Sequence, residues 1–288
     1  MSITADYLTL SDRILALPDI PPLARLFFPA DLQPTRTPDS DAEETNNKED
    51  DFGFVILQDG SAGPFYTSFG DSLDYLRQHF STTPRPQDSI KKLIQGFASP
   101  VIAHKALALG TFNAISQHLM RRSGYQPSST DNSSGLGSLQ AGERIGMVGY
   151  FCPLVDKLLA QGLRIQIIEK NPQRVKLQPG IQLSTQAKDL AGCKQIICTA
   201  SVLINDTLAE LLHATDDAAD FHLLGPSGSG LPDLVFARGV ASMGGIFFPK
   251  FSVLQERIDA ALNWGDAGQK YQLTPANYPG IESLLRHA

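Results

Sequence analysis

Three cysteines in 288 residues are too few for a disulfide framework, and their odd number cannot pair off completely. Cys152, Cys193 and Cys198 show no CxxC spacing, so there is no zinc-finger pattern, and a reducing compartment is expected. No apolar run approaches the roughly 18 residues of a membrane span. The nearest, 101–120, is interrupted by His104, Lys105 and His118. The N-terminus carries Asp6 and Asp12 and lacks the basic-then-apolar order of a secretion signal. Together these absences predict a cytoplasmic protein with no membrane contact.

An excess of positive charge is also missing: 24 bases face 30 acids, a net charge of −6. The stretch 38–51 holds Asp39, Asp41, Glu43, Glu44, Glu49, Asp50 and Asp51 against Lys48 alone. That stretch is itself −6, so the rest of the chain is neutral and lacks the basic footprint that nucleic-acid phosphates require. Nucleic acid is therefore not an expected partner. The P-loop pattern GxxxxGK[ST] and the hydrolase patterns GxSxG and HExxH do not occur.

What is present is a composition for a packed core, with 42% apolar and 19% charged residues. This excludes global disorder, a collagen-like chain and a disulfide miniprotein. The length suggests two domains. The spacing predicts a helix over 6–17, after which Pro18, Pro21, Pro22 and Pro29 break regularity. The acidic stretch 38–51 reads as a solvated loop. Residues 52–58 read as a strand, 59–63 as a turn and 64–69 as a returning strand. Helices are expected over 72–80, 89–97 and 101–121. This first part, 1–125, is a small α+β unit. Residues 126–142 belong to a Ser-, Gly- and Asn-rich linker.

From 143 to 288 the pattern changes. Strands at 144–149, 164–168, 195–199, 221–224 and 240–248 alternate with helices at 153–160, 207–213, 231–237 and 252–264. Such alternation indicates βαβ units and a parallel sheet, a doubly wound, Rossmann-like layer. The fold class is thus α/β, with the sheet domain following a smaller α+β domain.

In open α/β sheets ligands bind beyond the carboxyl ends of the strands, which selects the candidate residues. After the first strand comes Gly149-Tyr150-Phe151-Cys152-Pro153, which is not GxGxxG. Tyr150 and Phe151 would crowd a pyrophosphate but could stack on a flat ligand, or pack against the neighbouring domain. Cys152 lies in the turn, where it could be accessible. Glu169 ends the second strand, 20 residues after Gly149, where an acid commonly accepts from ribose hydroxyls. An adenosine-type ligand such as S-adenosylmethionine or a nucleotide would suit it; so would the plain reading of a surface glutamate. Thr199 and Ser201, then Asn205, could line a polar pocket. Thr207 and Glu210 fit a capping box, so Thr207 is expected to cap a helix.

The loop 225–230, Gly225-Pro226-Ser227-Gly228-Ser229-Gly230, leads toward a helix. It could hold an anion or a metal chelate, or be a turn with incidental glycines. Gly244 and Gly245 weaken a strand unless something approaches closely. His104 and His118 are 14 residues apart, ~21 Å along a helix, and cannot share an ion. A metal site made by the protein alone is not supported; a metal carried by a chelating ligand is compatible.

The ordered set 148–151, Glu169, 198–201 with 205–208, and 224–227 with Gly239, Val240, Gly244 and Gly245 resembles a family of domains of unknown function named for heavy-metal chelation. Upstream, 106–110 with Asn113 and Ala114 resembles a helix of its N-terminal partner domain. The resemblance runs from about Phe52 to Phe248. It implies an enolase N-terminal-like α+β domain packed on an atypical Rossmann-like domain, with a cleft between them that handles a metal chelate or a related small molecule. The cleft residues it implies are Asn113, Tyr150, Phe151, Glu169, Thr199, Asn205, Gly225, Pro226 and Ser227. The acidic insertion, the long linker and Cys152 depart from the family pattern. Three readings stand side by side: a small-molecule or chelate-binding protein, an enzyme with an adenosine-type cofactor, and a ligandless scaffold. No nucleophile–base pair is visible, and homo-oligomerisation is left open.

Overall fold

The N-terminal prolines turn out to flank a strand rather than abolish one. In the computed structural model, which describes residues 3–29, 52–85, 88–130, 136–216 and 218–288, helix α1 (Thr4–Leu15) is followed by β1 (Leu23–Phe27). β1 pairs antiparallel with β2 (Phe52–Leu57), which pairs antiparallel with β3 (Ala62–Tyr66). The expected acidic loop at 38–51 lies outside the described residues.

β3 begins two residues earlier than the sequence suggests because the turn before it is tighter. Asp59 Oδ1 accepts the Ser61 N–H at 2.9 Å, and Gly60 N–H donates to the Leu57 carbonyl at 2.9 Å. Pro64 therefore falls inside β3. This is tolerated because β3 is the edge of a three-stranded sheet, β1-β2-β3, where a missing N–H breaks no ladder bond.

Helices α2 (Ser72–His79), α3 (Ile90–Ile94) and α4 (Ile102–Arg122) complete this part. α4 is buried over nearly its whole circumference, including the polar Thr111, Asn113, Ser116, Gln117 and His118. It lies directly on β3: a Cβ at Gly63 would stand 1.9 Å from the Gly110 carbonyl oxygen and 2.3 Å from the Ala114 nitrogen. Only glycine permits that approach.

The second part is built on a seven-stranded sheet of β4 (Arg144–Val148), β5 (Arg164–Ile168), β6 (Ile181–Ser184), β7 (Gln195–Thr199), β8 (Asp220–Leu224), β9 (Ser242–Phe247) and β10 (Gln269–Leu273). Its order is β10-β9-β8-β7-β4-β5-β6. All neighbours are parallel except β10, which runs antiparallel to β9. The helices are α5 (Cys152–Ala160), α6 (Leu208–His213), α7 (Asp233–Phe236), α8 (Phe251–Asp259) and α9 (Ile281–His287). α7 and α8 are shorter than their sequence patterns suggest. Trp264, expected at the end of α8, instead opens a single 3-10 turn.

The described part of 126–142 is laid along the second sheet. Ser129 bridges to Tyr271, Thr130 N–H donates to the Lys270 carbonyl at 3.1 Å, and Gly137 N–H donates to Gln195 Oε1 at 2.9 Å. Leu136 and Leu139 pack on the Ile145–Met147–Ile197 cluster.

The two parts share apolar core. One cluster joins Leu107, Phe112 and Ile115 of α4 to Leu223, Leu231 and Val240. Another joins Phe54 and Ile56 of β2 to Ile246, Phe248, Leu254 and Trp264. Gln117 Nε2 donates to the Ile246 carbonyl at 2.8 Å, and Arg121 donates to the Phe248 carbonyl. Among the described residues, no helix is long and apolar enough to cross a membrane.

Candidate functional site

Register brings the ends of four strands side by side. Val148 is level with Ile168 on one flank and Cys198 on the other, and Thr199 is level with Leu224. The next positions, Gly149, Glu169, Thr199 and then Gly225, therefore form one row at the carboxyl edge of the sheet. The strand order reverses between β4 and β7, so their connections leave in opposite directions. Gly149, Tyr150, Phe151, Glu169, Thr199, Ser201, Asn205, Gly225 and Pro226 are all half-buried, whereas Cys152 is exposed and Asn113 and Ser227 are buried.

Glu169 is anchored at both ends. Its N–H donates to the Ser184 carbonyl at 3.0 Å, and its Oε1 accepts the Asn171 N–H at 3.0 Å. The carboxylate thereby fixes the turn 169–174. Tyr150 and Phe151 pack against the cluster of Val155, Leu158 and Ile167 on their own sheet. Burial pushes the Tyr150 phenol up, and its hydrogen bond with the Cys152 thiol adds to this.

Thr199 Oγ1 lies 3.0 Å from Ser201 Oγ and accepts the Ser201 N–H at 3.3 Å, capping a 3-10 turn. Asn205 Oδ1 accepts from the Thr207 hydroxyl at 2.6 Å and from its N–H at 3.3 Å. The expected capping box is thus not formed: Thr207 occupies the N-cap of α6, but its hydroxyl makes no cap bond and turns back to Asn205.

The loop 225–230 divides into an open end and a packed end. Gly225 has φ +121°, a conformation open to glycine, and nothing lies within 4 Å of where a Cβ would be. The remainder is locked in. Gly228 N–H donates to the Gly225 carbonyl at 2.9 Å, Ser229 Oγ accepts the Ile246 N–H at 3.0 Å, and Ser227 Oγ accepts the Tyr66 N–H at 3.1 Å. A Cβ at Gly230 would sit 2.6 Å from Phe112 Cε1. A Cβ at Gly245 would sit 2.7 Å from the Tyr271 hydroxyl, which is the close approach its place in β9 required. The helix beyond the loop, α7, has four residues and an acid, Asp233, in its first turn. It is a poor anion site. Asn113 spans the seam, donating from Nδ2 to the Pro64 carbonyl at 2.8 Å and to the Ser227 carbonyl at 3.0 Å.

Sequence reasoning missed Tyr66 and Arg174. Arg174 Nη1 donates to the Tyr66 hydroxyl at 3.5 Å, linking the turn after β5 to the end of β3. The available signal was a basic residue five positions beyond the strand-end acid Glu169. At the opposite, amino edge of the sheet lies a recess of about 230 Å³ lined by Ser138, Leu139, Glu143, Arg144, Gly192, Lys194 and Gln195. It is smaller than usual small-molecule sites of roughly 300 Å³ and above.

No three His, Cys, Asp or Glu side chains gather around a common point among the described residues. Cys193 and Cys198 are buried, and burial pushes both thiols up. These residues do not compose a coordination sphere for a metal ion.

The DUF364 family model, described as "Putative heavy-metal chelation", matches residues 134–274. A DUF364-family protein of unknown function from Desulfitobacterium hafniense DCB-2 is 16% identical with a TM-score of 0.62, covering 94% of this chain and 98% of that one. A second, from Pyrococcus horikoshii, is 19% identical with a TM-score of 0.60, covering 77% and 88%. At these identities the likeness carries the fold alone. No curated protein matches the chain. Residues 134–274 therefore carry the DUF364 match, within a fold that a DUF364-family structure shares along nearly the whole chain.

Proposed function

We propose that the protein binds a polar small molecule at the carboxyl edge of the parallel sheet, and that the ligand is a heavy-metal chelate. The supporting observation is the row Gly149, Glu169, Thr199 and Gly225 at the reversal of strand order, with the Gly225 backbone facing unobstructed space. The metal is cargo held by the chelator, since the chain's described residues offer no coordination sphere. Tyr150 and Phe151 offer an aromatic flank; Thr199, Ser201, Asn205 and Pro226 offer the polar and turn contacts. Asn113 and Ser227 hold the seam beside them, and Cys152 stands at its exposed rim.

This reading takes the C-terminal part, 143–288, as a Rossmann-like domain, because its six parallel strands follow the order 3-2-1-4-5-6 when counted along the chain. It takes 1–125 as an enolase N-terminal-like domain and 126–142 as the connection. The three free cysteines suit a reducing, cytoplasmic setting.

One observation favours a second reading. Glu169 closes the second parallel strand, where a carboxylate accepts from ribose hydroxyls, so an adenosine-type cofactor in chelator or cofactor biosynthesis also fits. Native mass spectrometry of the purified protein with elemental analysis separates the two. A retained metal with an organic mass supports the chelate, and a retained nucleoside supports the enzyme. A protein that carries neither, and gains no mass with ferric citrate or S-adenosylhomocysteine, contradicts both.

A further inference from the structure

The recess at the amino edge of the parallel sheet lies apart from the strand-end row, and its lining holds donors that lack acceptors. Ser138 comes from the segment before β4, Arg144 opens β4, and Lys194 and Gln195 lead into β7. Gly146 is level with Ile196, so Arg144 and Lys194, each two residues earlier, stand at the entry to neighbouring strands. Gln195 uses its oxygen, which accepts the Gly137 N–H at 2.9 Å. Its amide NH2, the Ser138 hydroxyl and the Lys194 ammonium donate to no acceptor among the described residues.

The charge points the same way. Arg144 donates to Gln166 Oε1 at 2.7 Å and to the Asp189 and Ala191 carbonyls at 2.9 and 3.3 Å. All three acceptors are neutral, so the guanidinium is a fixed, half-buried positive charge with no carboxylate bonded to it. Such a charge acts more strongly than one in open water. Lys194 adds a second. The one acid in the lining, Glu143, has an oxygen committed to the Gln140 N–H at 2.8 Å. Asp216, which is not part of the lining, accepts the Gly192 N–H at 3.2 Å. Two cations against one acid, with three free donors, match a group that only accepts and carries more than one negative charge. A volume of about 230 Å³ suits an ion of a few heavy atoms rather than an organic ligand.

We propose that this recess is a second binding site, separate from the strand-end row, for a small multiply charged oxyanion of the phosphate type. Lys194 supplies the charged contact, Gln195 and Ser138 donate to the anion's oxygens, and Arg144 sets the local potential. Gly137 is already tied to Gln195, so an anion bridging Ser138 and Lys194 also fastens the segment before β4 to the start of β7.

The test is calorimetric titration of the full-length protein with sodium phosphate, with sodium acetate and sodium chloride as singly charged controls at matched ionic strength, joined to hydrogen-exchange mass spectrometry. Phosphate is expected to bind, acetate to bind more weakly and chloride not at all. Phosphate should slow exchange in peptides covering 136–140 and 191–196. K194Q should weaken phosphate about fivefold or more at an unaltered melting temperature. Q195E keeps an oxygen for the Gly137 N–H but sets a carboxylate against the anion, and should abolish binding; if it does not fold, K194Q alone decides. Phosphate that binds no better than chloride overturns the site. Phosphate that binds wild type and K194Q equally places the ion elsewhere and overturns it too. Acetate binding as tightly as phosphate overturns the ligand class.

Discussion

Asp59 shows how one side chain can hold a turn, a helix and a charge balance together. Burial favours its neutral form. The hydrogen bonds from His118, at 2.8 Å, and from the Ser61 N–H and hydroxyl outweigh that and hold the carboxyl below its usual range. A carboxylate whose pKa is lower folded than unfolded stabilises the protein above the unfolded value near 4, and the gain is lost as pH falls through the folded value. D59N should therefore destabilise the protein by about 1–2 kcal/mol at pH 7. In urea unfolding the gap between variant and wild type should close toward pH 3. A gap that is constant with pH would mean that Asp59 acts through shape rather than charge. At Glu169 one carboxylate oxygen accepts the Asn171 N–H, and this bond orients the side chain in its turn.

At the scale of elements, contact between β3 and α4 sets the position of everything attached to them. Asn113 on α4 and Tyr66 at the end of β3 both reach Ser227. G63A would drive a methyl group into the α4 backbone, where a helix carbonyl stands 1.9 Å away and cannot yield as a flexible side chain would. We expect a loss of about 3 kcal/mol or more, read as a lower urea midpoint at unchanged slope. A loss below about 1 kcal/mol would show that the two elements can part without cost. The elements that the sequence revealed are those with strong local patterns. β5 and β7 have the expected bounds because the β-branched residues Ile165, Ile167 and Ile168 and the pair Ile196 and Ile197 dominate them and are buried. β1 escaped because its flanking prolines suggest a break, β6 because it is four residues long and only half-buried, and β10 because Gln269–Leu273 is a polar-rich edge. The site divides in the same way. Gly149, Glu169, Thr199 and Gly225 follow from the rule that ligands meet strand ends. Tyr66 and Arg174 do not, because their meeting depends on how β3 lies against the second sheet, and no local pattern records that. The loop 225–230 reads equally as an anion cradle or as a turn, and its glycines 228 and 230 are packing contacts, a distinction that only neighbouring atoms reveal.

Across the whole molecule, the shared core predicts that both parts unfold together. The single tryptophan, Trp264, lies where they meet, with Phe54 at 5.0 Å, Phe52 at 5.8 Å and Phe248 at 6.3 Å between ring centres. Its fluorescence should therefore change at the same urea concentration as the far-ultraviolet circular dichroism. Two separated transitions would show that the Phe54–Trp264 cluster opens first. A ligand held by the folded protein should raise the midpoint of the common transition.

The central claim is that the ligand meets the carboxyl edge of the parallel sheet. Hydrogen-exchange mass spectrometry with ferric citrate or S-adenosylhomocysteine tests it most directly. The account predicts slowed exchange in peptides covering 149–152, 169–174 and 224–227, with no change around the recess at the opposite edge. Protection centred on Ser138, Arg144 and Gln195, with the strand-end peptides unaffected, would contradict it.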